Sequence, residues 1–151
     1  MTAYKRPVSV LVVIHTPELR VLLLERAVHA GYWQSVTGSQ EDGETLAETA
    51  LRELAEETGI RAAREQLLDW KVSNRYEIFA EWRHRYAPGV LHNNEHVFSL
   101  QVPAVQPVTL AAGEHLDYCW LPWREAAAKC FSWSNRDALL MLPERISQPS
   151  C

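Results

Sequence analysis

Three carboxylates fall within five residues, at Glu53, Glu56 and Glu57. On a helix, Glu53 and Glu57 are four apart and stack on one side, with Glu56 beside them. Like charges this close repel and destabilise an isolated helix, so something must compensate. Arg52 is a local counter-charge, with Glu48 and Glu56 four residues to either side. The natural partner for the remaining charge is a hard divalent cation. Mg²⁺, with Mn²⁺ as a substitute, takes oxygen ligands and bridges protein carboxylates to phosphates. The alternative is a solvated acidic face, which is what most charge runs are.

The residues around the carboxylates decide against that alternative. The stretch Gly38 to Ile60 reads GSQEDGETLAETALRELAEETGI: Gly38, five residues, Glu44, seven residues, Arg52-Glu53-Leu54, Glu56-Glu57, then Gly59-Ile60. Seven fixed positions at average usage give a chance match on the order of 10⁻⁸ per start site. Gly38 and Gly43 mark a loop. Thr45 with Glu48 is a capping box, which predicts a helix from there. Gly59 supplies the left-handed stop. Ala47, Ala50, Leu51, Leu54 and Thr58 share the face that packs on a sheet.

This segment resembles a complete Nudix box, the loop–helix–loop signature of hydrolases that cleave nucleoside diphosphates linked to another group. The resemblance implies an α/β/α sandwich around a mixed sheet. It also implies Mg²⁺ held by the box glutamates and water attack on phosphorus.

The chain of 151 residues fits one domain, 1–151, with one core. Its net charge of −4 and lack of a basic tract disfavour nucleic acid as a partner. The longest apolar run, Val10 to Ile14, is too short to span a membrane. Cys119, Cys130 and Cys151 are odd in number, form no C-x-x-C and follow no signal peptide pattern. The expectation is a reducing cytoplasm.

Strands are predicted over Pro7 to Ile14, Arg20 to Glu25, Tyr32 to Thr37, Leu67 to Ser73, Arg75 to Tyr86, His96 to Val102 and Tyr118 to Leu121. Late helices are predicted over Trp123 to Phe131 and Asn135 to Leu142, the latter capped by Ser134. Pro103 to Glu114 reads as a loop, and Pro143 to Cys151 as a polar tail. The six histidines form no H-E-x-x-H, and no Walker or dinucleotide fingerprint occurs.

Beyond the box, YKRPVSVLVVI, WQSVTGSQEDGET, RHRYAPGV, EHLDYCWL and SWSNRDAL resemble one Nudix subfamily, the bacterial pyrophosphatases that act on dihydroneopterin triphosphate in folate biosynthesis. The similarity runs from Tyr4 to about Leu140. It implies metal ligation by Glu53, Glu57 and the adjacent Glu56, joined from outside the box by Glu114. Glu114 or a box glutamate is then the base for the attacking water. Lys5, Arg26, Thr37, Tyr76, Glu77, Ile78, Phe79 and Ser132 match positions that hold substrate. Lys5 and Arg26 suit a triphosphate, and Thr37 offers a hydroxyl or amide. Tyr76 or Phe79 can stack on the pterin, and Glu77 or backbone groups can face its N–H edge. As isolated residues, Phe79 reads equally as core, Glu77 as a solvated strand residue and Ser132 as a helix start. The implied products are dihydroneopterin monophosphate and pyrophosphate. A nucleoside triphosphate such as dATP is the rival substrate, and a non-catalytic Nudix-fold binding module is the rival from another class.

Overall fold

A computed structural model of the chain describes residues 4–146. Seven strands form one mixed sheet: β1 (Val8–His15), β2 (Arg20–Arg26), β3 (Trp33–Gln34), β4 (Val36–Ser39), β5 (Leu67–Glu77), β6 (His92–Gln101) and β7 (His115–Pro122). The path runs β3-β2-β1-β6-β5, with β4 also on β1 and β7 also on β2. The pairing of β1 with β6 is parallel, and the other pairings are antiparallel. At the centre, β1 is buried on both faces, which is why it reads as a continuous apolar run rather than an alternation.

The two faces carry separate cores. Val10, Val12, Leu22, Leu24 and Phe98 pack with Ala50 and Leu54 of α1 (Leu46–Thr58). Leu11, Val13, Leu23 and Val97 pack with Ala126 and Ala127 of α2 (Trp123–Lys129) and Ala138, Leu139 and Leu142 of α3 (Trp133–Ile146). Alternate residues of β1 and β2 therefore serve opposite faces, giving the expected α/β/α sandwich. Among the described residues, no helix is long and apolar enough to cross a membrane. Cys119 and Cys130 are free thiols, and Cys151 lies outside the described residues.

Several expected elements differ. The stretch Tyr32 to Thr37 is two strands: β3 pairs with β2 and β4 pairs with β1, so the chain changes partner at Ser35. Ser35 is held at the crossing by the Asn135 side chain, which accepts from its N–H at 2.8 Å and donates to its hydroxyl at 3.0 Å. The expected break at Asn74 is absent. Strand β5 continues through it, and the irregularity falls between Asp69 and Ser73, with Lys71 left-handed at φ 56°.

The predicted strand Arg75 to Tyr86 ends at Glu77. Ala80–Arg85 is instead a 3₁₀ turn, held by the Arg83 Nε–H donating to the Ile78 carbonyl at 3.0 Å. Helix α3 begins two residues before the expected start. Ser132, not Ser134, takes the capping role, accepting from the Asn135 N–H at 3.3 Å. Ser134 lies inside the helix and is buried. Pro143 to Ile146 continue α3, and the rest of the predicted tail lies outside the described residues.

Candidate active site

The box helix begins and ends where its sequence dictates. The Thr45 hydroxyl accepts from the Glu48 N–H and the Glu48 carboxylate accepts from the Thr45 N–H, completing the capping box. Gly59 closes the helix at φ 78°. Glu48 is thus spent at the cap and is not the partner of Arg52. That arginine instead forks onto Glu44, with Nε to Oε2 at 2.6 Å and an NH2 contact to Oε1 at 3.0 Å. The same guanidinium donates to the Ser39 carbonyl at 3.0 Å and to Glu53 Oε1 at 2.8 Å. A planar fork that serves five acceptors, Glu56 Oε2 at 3.4 Å among them, explains why arginine, not lysine, stands at this position. It ties the helix to the loop and holds Glu44 down to about 2, chiefly through its own hydrogen bonds.

Glu53 and Glu57 project from α1 toward β4. Gly38 on β4 leaves the space: a Cβ there would lie 2.1 Å from Glu53 Cδ. Glu57 is buried, and neither carboxylate oxygen has a hydrogen-bond partner. Burial raises its pKa well above the ordinary carboxylate range, and the Glu53 and Glu114 carboxylates raise it further. Burial also raises Glu53, against the pull of Arg52.

An orphaned buried carboxylate beside other carboxylates is destabilising alone and is what a divalent cation satisfies. Glu53 and Glu57 are the residues that could hold such an ion, with Glu114 near enough to act on Glu57 electrostatically. Glu56 is about half exposed and 3.4 Å from Arg52. Among the described residues, no three acidic, histidine or cysteine side chains already converge as a finished metal site.

Cations gather near the carboxylates. Lys5 feels Arg85 and Arg26 as like charges and Glu53 and Glu114 as opposite ones. Desolvation is the larger influence and lowers its pKa. Arg26, at the end of β2, is likewise lowered by desolvation and then by Arg85, and held up by Glu57. Two contacts build this corner. The Lys5 N–H donates to the Arg85 carbonyl at 2.9 Å, and the Ala27 N–H donates to the Glu114 carbonyl at 2.9 Å. Three cations repelling one another beside a carboxylate pair suit a polyanion.

The structure thus brings Lys5, Arg26, Glu53, Glu57 and Glu114 together from the N-terminal segment, β2, α1 and the β6–β7 loop. The remaining candidates divide. The Thr37 hydroxyl donates to the Val10 carbonyl at 2.9 Å, so it is engaged in the sheet. Ile78 is buried, its N–H donates to Leu91 and its carbonyl accepts from Arg83. Glu77 is exposed and ion-paired with Arg83. The Tyr76 hydroxyl accepts from the Asn93 amide at 2.9 Å, the Phe79 ring is exposed, and Ser132 caps α3.

Some neighbours were not singled out from sequence. The His115 side chain is 5% exposed with Nε2 3.5 Å from Glu57 Oε1, and its pKa is lowered by desolvation and then by Arg26. Arg85 was visible only as part of a basic run. An aromatic group also surrounds Arg26, whose guanidinium lies 4.6 Å from the Trp82 ring centroid. Tyr32 stacks on Phe131 at 4.8 Å, and Phe79 meets Trp82 edge-on at 5.0 Å. These rings come from three separate segments, so no local spacing marks them.

A NUDIX domain model matches residues 5–142, the span that contains both the box and the cation corner. The chain belongs to the Nudix family. It is 48% identical over 139 residues to the dihydroneopterin triphosphate diphosphatase of Escherichia coli K12, an alignment covering 90% of this chain and 91% of that protein. It is 40% identical over 142 residues to the protein of the same name in Haemophilus influenzae, covering 92% and 89%. The solved structure of the E. coli dihydroneopterin triphosphate pyrophosphohydrolase superposes with a TM-score of 0.85, covering 91% of this chain and 94% of that one. Nudix hydrolases use divalent metal ions, in keeping with the orphaned Glu57.

Proposed function

We propose that this Nudix hydrolase, acting as one domain over residues 1–151, cleaves dihydroneopterin triphosphate to dihydroneopterin monophosphate and pyrophosphate. Mg²⁺ is the proposed cofactor, Mn²⁺ a substitute and the cytoplasm the proposed location. The observation that carries the proposal is the gathering of Lys5 and Arg26, with Arg85 beside them, around Glu53, Glu57 and Glu114. The chain-long identity to proteins named for that reaction supports the substrate.

Glu53 and Glu57 would hold the cation, with Glu114 and Glu56 completing its surroundings. When bound, Mg²⁺ neutralises phosphate oxygens and lowers the pKa of water. Arg26 and Lys5 draw the phosphates into register, Arg26 by its two-pronged fork. Arg52 and Glu44 keep α1 seated on the loop, so the glutamates stay placed to within the tolerance that in-line attack demands. Glu114 stands at the open side of the corner, where its carboxylate can take a proton from the attacking water.

The test is a product assay with Mg²⁺ on dihydroneopterin triphosphate and dATP side by side, scoring pyrophosphate against orthophosphate. Higher kcat/KM on the pterin with pyrophosphate release is the expected result. Preference for dATP would overturn the pterin assignment while leaving the hydrolase chemistry in place.

A further inference from the structure

A second set of buried polar groups lies beside the cation corner and has no part in the chemistry above. On β6, Asn93 and Glu95 are two residues apart and point to the same face of the sheet. Both are buried, with 2% and 4% of their surface exposed. Each retains an acceptor with no partner, Asn93 Oδ1 and Glu95 Oε1. The Asn93 amide donates to Ser9 Oγ at 2.7 Å and to the Tyr76 hydroxyl at 2.9 Å, which fixes its orientation with Oδ1 turned the other way. Ser134 and Tyr76 are the polar neighbours of Glu95, and burial pushes its carboxyl up to about 7.

Two orphaned acceptors side by side call for a ligand with adjacent N–H donors, because a buried acceptor without a donor is destabilising. Tyr76 connects this set to the phosphate corner along the chain: it pairs with Asn93 across the sheet and lies three residues before Phe79, whose ring meets Trp82, the ring over which Arg26 sits. The exposed rings of Phe79 and Tyr32 both lie against the Phe131 ring, with centroids 6.4 Å and 4.8 Å from it.

We infer that Glu95, with Asn93 beside it, is the specificity determinant that receives the amino-pyrimidinone edge of the base. This rests on the pterin assignment proposed above. A pterin presents a ring N–H and an adjacent amino group, three N–H donors in one plane. Glu95 accepts the ring N–H and one amino hydrogen, and Asn93 Oδ1 accepts the other. Adenine presents a ring acceptor beside its amino group, so it lacks this pattern. A glutamine in place of Glu95 offers one donor and one acceptor, which suits adenine and mismatches the pterin.

The test is Glu95→Gln in the full chain with Mg²⁺, comparing kcat/KM on dihydroneopterin triphosphate and on dATP. Loss of one charged acceptor to a two-donor edge predicts a fall on the order of 10²-fold on the pterin, with dATP within about 3-fold of wild type. A parallel fall on both substrates, or an unchanged pterin rate, overturns the inference. A second measurement needs no variant: inhibition of the wild-type enzyme by 7,8-dihydroneopterin against its 2-oxo lumazine counterpart, which has an acceptor where the pterin has an amino group. At least about tenfold tighter inhibition by the pterin is expected from the lost hydrogen bonds, and equal inhibition overturns the assignment of Glu95. If wild-type enzyme turns over dATP but not dihydroneopterin triphosphate, the substrate assignment fails instead.

Discussion

Gly38 is a sharp place to separate folding from catalysis. Its backbone is outside the left-handed region, so alanine is conformationally allowed there. An added Cβ meets Glu53 Cδ at 2.1 Å, Oε1 at 2.2 Å and Cγ at 2.5 Å, and no other atom comes so close. Ordinary contact begins near 3.4 Å, so the Glu53 carboxyl end must retreat by about 1.3 Å. A glutamate side chain can swing that far by changing rotamer, so the sheet need not move. The clash is therefore relieved at the expense of the Arg52–Glu53 hydrogen bond of 2.8 Å and of the position of Glu53 beside Glu57. Loss of one such hydrogen bond costs about 1–2 kcal/mol, and alanine recovers about 0.4–1 kcal/mol by restricting the unfolded chain. Net stability should fall by no more than about 1.6 kcal/mol, or roughly 3–6 °C in Tm. Misplacement of a reacting group by about 1 Å costs on the order of 10²-fold in rate. Gly38→Ala should therefore melt close to wild type and lose on the order of 10²-fold in kcat/KM for pyrophosphate release. A folded Gly38→Ala with wild-type kcat/KM would refute the role assigned to Glu53. A variant that fails to fold would refute the claim that the glutamate yields before the sheet.

Two further outcomes follow from the same charge arrangement. Glu57→Gln replaces a buried, orphaned carboxylate with a neutral isostere, so it should melt no lower than wild type without metal while losing at least about 10²-fold in activity. Mg²⁺ at about a hundred times its Kd should raise the wild-type Tm by roughly 5–10 °C, and calorimetry should find that shift abolished in Glu57→Gln; an equal shift in both proteins would remove Glu57 from the metal site. Glu44 is held down to about 2 from an ordinary 4.5, so its pairing with Arg52 stabilises the fold fully above pH 4.5 and less as pH falls toward 2. Urea denaturation should therefore show Glu44→Gln less stable than wild type at pH 7, with the gap narrowing near pH 3, and a gap that widens on acidification would contradict the pairing.

The box helix was legible in the sequence because its signals are local. Thr45, Glu48 and Gly59 act within one turn of where they stand, and Ala50 and Leu54 repeat at the helical period. The continuous apolar run of β1 likewise announced a strand buried on both faces. Legibility failed where long-range contacts decided. Phe79 to Arg85 has strand-like composition but turns over, because the rings of Phe79 and Trp82 find Phe131 and Arg26 from distant segments. Of the two partners expected for Arg52 within its own helix, Glu56 is met at 3.4 Å and Glu48 is not, and the fold adds Glu44 of the preceding loop at 2.6 Å.

By itself the sequence determined the chemistry: glutamates at one helical spacing and a capped helix to carry them, both specified by interactions of short range. The space that Gly38 leaves for Glu53 came instead from strand meeting helix. Only the tertiary structure decided that Glu57 is stripped of hydrogen-bond partners, that Arg85 joins Lys5 and Arg26, and that Asn93 and Glu95 turn unpaired acceptors toward one side of the sheet. Burial and charge proximity are properties of segments meeting across the fold, and no spacing along the chain encodes them.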